Sequence, residues 1–206
     1  MTASSPTRRE ALAAMAALGA LAAVPALAHD IAEHTLAPLP PLPGESVYRL
    51  DAALQDQDGR TFALSSLRGA PVLAGMFYTS CDKVCPMIFE AMHATLRALP
   101  AAERAATRVL MVSFDPARDS VAVLKKTAQA RGCDDRWVLA RADDATTRKV
   151  AAVLGVQYRR LSDGEYNHSS TVDVLDPAGR IVARSGKLDG VDPQVVAAIR
   201  RMAAHG

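Results

Sequence analysis

The stretch Val72-Leu73-Ala74-Gly75-Met76-Phe77-Tyr78-Thr79-Ser80-Cys81-Asp82-Lys83-Val84-Cys85-Pro86 decides the reading of this chain. Its first seven residues form an unbroken apolar run, the pattern of a strand buried on both faces. The strand runs straight into two cysteines separated by three residues. At that spacing on a helix, the two side chains share a face with Cβ atoms about 5–6 Å apart. Two thiolates so placed suit one soft metal ion, and suit less the tight redox turn of a Cys-x-x-Cys. The thiols are expected at the exposed carboxyl end of a central strand, where α/β proteins place their chemistry.

Strand and helix patterns alternate outward from this stretch. Residues 53–55 and 60–63 flank Asp58-Gly59, a hairpin signal, and residues 64–67 make a short turn. Residues 85–99 show helical periodicity through Ile88, Met92, Leu96 and Leu99. A buried strand follows over 108–114, then a helix over 119–131 with Gly132 as its C-cap. Residues 137–140 read as extended and 145–154 as a helix that Gly155 stops. Hairpins are expected around Asp163-Gly164 and Asp176-Pro177-Ala178-Gly179, and Pro193 opens a last helix. This is the element order of the thioredoxin architecture, an α/β fold with a mixed central sheet flanked by helices. The hairpin before Val72 and the helix over 145–154 are additions to it.

The chain has 206 residues, half of them hydrophobic, and a net charge of only +2. No basic block stands out beyond the first ten residues and aromatic residues make up 4%. Both facts argue against a nucleic-acid partner. Arg8-Arg9, the apolar run 11–24 and Ala26-Leu27-Ala28 read as a signal peptide over 1–28, cut after Ala28. The run is short and mild for a bilayer span, so a membrane anchor is the lesser alternative. Thr7-Arg8-Arg9-Glu10-Ala11-Leu12 fits a twin-arginine signal as well as a general secretory one. Residues 29–46, with Pro38, Pro40, Pro41 and Pro43, read as an extended tether, leaving 47–206 as the domain. Export implies a periplasmic location.

Three cysteines in an exported chain leave one over. Cys133, at a helix end, reads as a small, half-buried apolar residue. Cys81 and Cys85 can form a disulfide in an oxidising compartment, but a bridge across so short a loop adds little structural stability. His168, in Tyr166-Asn167-His168-Ser169-Ser170-Thr171, precedes the strand of the terminal hairpin, on a loop expected to face the cysteines. Alone it reads more readily as a hydrogen-bonded surface residue; with the thiols it makes a site of two sulfurs and one nitrogen, which suits copper or zinc. Met87 and Met92 read as core packing, His93 as part of a solvated helix face, Asp143-Asp144 as a helix start and His205 as part of a fraying end.

The run from Phe77 to Met87 resembles the copper motif of the Sco/SenC family. Val112-Ser113-Phe114-Asp115-Pro116-Ala117-Arg118-Asp119, Asn167-His168-Ser169 and the stretch from Asp56 to Leu73 resemble further motifs of that family in the same order. The similarity spans about residues 50–202. It implies a thioredoxin-like protein that binds copper through Cys81, Cys85 and His168, with Asp115 near the site as a supporting group. It also implies delivery of copper to the dinuclear CuA centre of cytochrome c oxidase. The partners implied are the copper-centre subunit of a terminal oxidase, other copper chaperones and thiol reductases. Ser80, Asp82 and Lys83 depart from the residues common around the first cysteine, and Lys83 is expected to favour thiolate. Asp173 occupies a strand position that is usually apolar.

Copper delivery is thus the leading expectation. The alternative is a thiol-disulfide oxidoreductase or redox sensor working through Cys81 and Cys85. A plain binding module with a structural disulfide leaves His168 unexplained. Cleavage after Ala28 would also place His29 first, and with His34 it offers nitrogen ligands for Cu(II), against the simpler reading of a solvated tether.

Overall fold

The computed structural model describes residues 41–203. In chain order its elements are β1 (Ala53–Asp56), β2 (Thr61–Ala63), β3 (Val72–Phe77), α1 (Val84–Ala98), α2 (Ala101–Ala106), β4 (Arg108–Ser113) and α3 (Val121–Ala130). There follow β5 (Trp137–Arg141), α4 (Asp144–Val153), β6 (Tyr158–Arg160), β7 (Tyr166–His168), β8 (Val172–Leu175), β9 (Ile181–Ser185) and α5 (Pro193–Ala203).

Seven strands form one mixed sheet in the order β2-β1-β5-β4-β3-β8-β9. β3, β4 and β5 run parallel, whereas β8 is antiparallel to β3 and β1 to β5. All six residues of β3 are buried, because strands flank it on both sides and α1 packs on it. Gly75 sits mid-strand because a Cβ there would stand 2.9 Å from the Met92 methyl. The expected hairpin before Val72 is β1–β2, joined to the sheet through β5, and the expected extra helix is α4.

Several details differ from the expectations. α2 was not anticipated; it buries no residue and so shows no apolar stripe. α3 starts at Val121 with Ser120 as its cap, because Asp119 turns inward. The hairpin around Asp163-Gly164 stands apart as a two-stranded ribbon, β6–β7. His93 is not on a solvated face: its ring packs 4.4 Å from that of Trp137, and Nε2 lies 2.9 Å from the Arg131 carbonyl oxygen. Met87 is 44% exposed and is not core, unlike Met92. Asp173 is buried in β8, where the Arg184 guanidinium donates to it at 2.6 Å and also to the Leu154 carbonyl at 2.7 Å.

Ser46 and Val47 are tied to the β8–β9 turn: the Ser46 hydroxyl donates to the Ala178 carbonyl, and Val47 N–H to that of Gly179. The signal peptide, most of the expected tether, His29, His34 and His205 lie outside the described residues. Among those described, no helix is long and apolar enough to cross a membrane.

Candidate metal centre

The end of β3 sets the site. Tyr78 leaves the strand, the Cys81 N–H donates back to its carbonyl at 3.3 Å, and α1 begins at Val84, which puts Cys85 in its first turn. Asp119 holds this turn. Its buried carboxylate accepts from the backbone N–H of Thr79 at 3.1 Å, from the Thr79 hydroxyl and from the hydroxyl of Ser113. The sequence placed Asp119 only as the first residue of a helix, where a carboxylate is common for local reasons.

His168 ends β7. Its ring lies 5.0 Å from that of Phe114 and 5.9 Å from that of Tyr78. Nδ1 sits 3.1 Å from the Ser169 carbonyl and 3.2 Å from the Ser170 hydroxyl. A proton on Nδ1, donated to that carbonyl, leaves the lone pair on Nε2. The two sulfurs and one ring nitrogen all lie within 4.8 Å of one another. Donors on one ion, at sulfur bond lengths of about 2.3 Å, stand at most about 4.6 Å apart. Small side-chain rotations therefore suffice to close the three on one ion.

Both thiols are free and, against expectation, buried: Cys81 is 8% exposed and Cys85 2%. Cys81 lines a cavity of about 440 Å³ together with Lys83, Glu165, Tyr166 and His168, and Cys85 lies outside that lining. The two thiols differ electrostatically. Burial pushes Cys81 up, but the N–H of Cys85, 3.3 Å from its sulfur, and those of Lys83 and Val84 outweigh this and leave it lowered. Lys83 thus favours the Cys81 thiolate, as expected, and does so through its backbone amide. Burial holds the Cys85 thiol far up, and a charged Cys81 beside it adds to the rise. Burial also pushes Cys133, which packs against the core away from this group, up to about 12.

Asp115 is buried but touches none of the three donors. It pairs with Arg118 and accepts from the Tyr166 hydroxyl at 3.2 Å, and Arg118 donates to the Gly164 carbonyl at 2.7 Å. It therefore anchors the ribbon that carries His168. Tyr78 reaches the same ribbon, its hydroxyl donating to Glu165 at 2.7 Å.

Residues 46–204 match the SCO1/SenC family model. The chain belongs to the SCO1/SenC family. Among SCO1/SenC relatives, the SCO1 protein homolog of Bacillus subtilis is 36% identical over 74 residues, 36% of this chain. That match covers 38% of the relative's length, under two thirds of it. A Stutzerimonas stutzeri protein named as copper-binding is 24% identical over 153 residues, which is 69% of this chain and 74% of the relative. The structure of Bradyrhizobium japonicum ScoI with copper bound superposes with a TM-score of 0.63 at 27% identity, over 73% of this chain and 96% of that one. The fold of this SCO1/SenC chain is accordingly thioredoxin-like.

Proposed function

We propose that this chain is an exported copper-delivery protein in which Cys81, Cys85 and His168 hold one Cu(I). The observation that carries the reading is the convergence of two sulfurs and one imidazole nitrogen within 4.8 Å. Soft thiolates select Cu(I), and imidazole suits copper in either state. The copper-bound ScoI relative supports the choice of metal. Asp115 acts at one remove, fixing Tyr166 and through it the strand that ends in His168.

Copper is the cargo. Cu(I) entering the cavity meets Cys81 first, displaces the proton of Cys85 and is closed over by His168. Release follows by stepwise exchange of these ligands for those of an acceptor, for which the CuA subunit of cytochrome c oxidase is the reading the family supports. Copper chaperones and thiol reductases are the further partners, and a cleaved signal over residues 1–28 places the domain in the periplasm. The test is anaerobic Cu(I) titration of the reduced protein followed by X-ray absorption. One equivalent with two sulfurs and one nitrogen is expected. A sulfur-free shell, or no uptake, ends the reading.

The position of Cys85 behind Cys81 favours one second reading, thiol-disulfide exchange. The Cys81 thiolate, its proton lost to solvent, attacks a substrate disulfide to form a mixed disulfide, and one substrate thiolate leaves and takes a proton from solvent. Cys85 then gives its proton to the second leaving sulfur and closes the Cys81–Cys85 disulfide, so that the substrate gains two electrons and two protons. Turnover of a disulfide substrate by metal-free protein with a reductant supports this reading, and lack of turnover removes it.

A further inference from the structure

The β6–β7 ribbon and the neighbouring helix α4 carry an arginine cluster that the metal site does not use. Arg148 of α4 and Arg159 and Arg160 of β6 line one hollow of about 370 Å³, beside Tyr158 and Tyr166. Arg159 also lines a second hollow, of about 560 Å³, together with Asn167, His168 and Ser169. The three arginines are exposed. None of them forms an ion pair with a carboxylate among the described residues. Two acids line the first hollow. Asp115 is already met by Arg118, which leaves Asp144 against three guanidiniums. Arg148 lies 5.7 Å from the centre of the Tyr158 ring, so the cluster rests on an aromatic floor. In a chain of net charge +2, this is a local concentration of positive charge.

We infer that this ribbon docks an acidic face of the protein that exchanges copper with the site, an inference that rests on the copper-delivery reading. Arginine and tyrosine are among the side chains enriched where binding energy concentrates at protein interfaces. Unneutralised charge beside the site speeds encounter with an oppositely charged partner. His168 lines the second hollow, so a partner seated there touches a copper ligand directly. An anionic membrane fits less well, because the arginines are set in hollows rather than on a flat face.

The test uses the metal-free, reduced full chain, 15N-labelled and titrated with a poly-glutamate peptide at low salt and at about 150 mM salt, where charges are screened beyond about 8 Å. Amide shifts are expected at Tyr158, Arg159 and Asn167, weakening with salt. The Arg148→Glu/Arg159→Glu/Arg160→Glu protein should lose at least tenfold in apparent affinity while its dispersed spectrum and its Cu(I) stoichiometry stay as in the parent. The corresponding glutamine variant should fall between the two. Shifts that map instead to Arg200 and Arg201 of α5, or equal affinity in the reversed variant, overturn the inference. So does binding to phosphatidylglycerol vesicles that survives the reversal or exceeds peptide binding. Failure of copper uptake with peptide binding intact would instead overturn the copper-delivery reading.

Discussion

Asp119 holds Thr79 twice, accepting from its backbone N–H at 3.1 Å and from its hydroxyl. Two residues later comes Cys81. The turn that aims the first sulfur is therefore fixed by a carboxylate that touches neither thiol. Asp119→Ala strands these donors and the Ser113 hydroxyl in a buried place, at a cost of about 2–3 kcal/mol. Urea denaturation should show the lower midpoint. The same protein should bind Cu(I) more weakly, and unchanged stability would dismiss the role.

The unequal thiols predict an order of alkylation. Iodoacetamide at pH 7–8 should modify Cys81 first in reduced, metal-free protein, with Cys85 and Cys133 lagging, because thiolate is the reactive form. Peptide mass spectrometry reads the order, and early labelling of Cys85 would contradict the electrostatics described.

Cu(I) affinity should rise with pH. The raised Cys85 thiol keeps its proton through neutral pH and must lose it to bind, so at least one proton is released. The expected slope is about tenfold per pH unit between pH 6 and 8 for each proton released. A competition titration with a Cu(I) chelator at several pH values gives it directly, and a flat profile would remove Cys85 as a ligand.

His168→Ala should keep weak Cu(I) binding on the two sulfurs and lose stable Cu(II), for which the imidazole is the suited donor. Copper electron paramagnetic resonance reads this. An unchanged Cu(II) spectrum would take His168 out of the site.

Arg184→Ala should destabilise the fold by about 2–3 kcal/mol at neutral pH, as it leaves the Asp173 charge buried and alone. Burial already raises the Asp173 carboxyl, against the pull of Arg184. Without that pull the carboxyl takes up a proton sooner as pH falls. The cost of the substitution should therefore shrink from pH 7 towards pH 4, as comparison of denaturation midpoints can show. A cost that grows on acidification would reverse the argument.

The central strand and the cysteine pair were legible because an apolar run ending in two thiols has few other readings. The hairpin of β1 and β2 was legible through Asp58-Gly59, whose glycine has φ +81°. His168 became readable as a donor only beside the other spaced motifs, since a lone histidine in a polar loop carries no such signal. What stayed hidden were long-range pairings. Nothing local shows that His93 meets Trp137, or that Asp119 turns in to Thr79 and leaves the cap to Ser120. The hairpin signal at Asp163-Gly164 is the same whether or not its strands join the main sheet. The depth of the thiols was missed because a strand end in this fold is usually open, and here Tyr78, Tyr166 and Phe114 crowd it.

The two cysteines lie on the turn after β3 and in the first turn of α1, while the histidine belongs to the separate ribbon. A copper ion bound to all three would therefore act as a cross-link between parts of the chain far apart in sequence, shortening the reach of the unfolded chain as a disulfide does. Loaded protein should resist heat and protease better than empty protein, by an amount set by free copper relative to its dissociation constant. Metal supply would then govern how long each molecule survives as well as what it delivers.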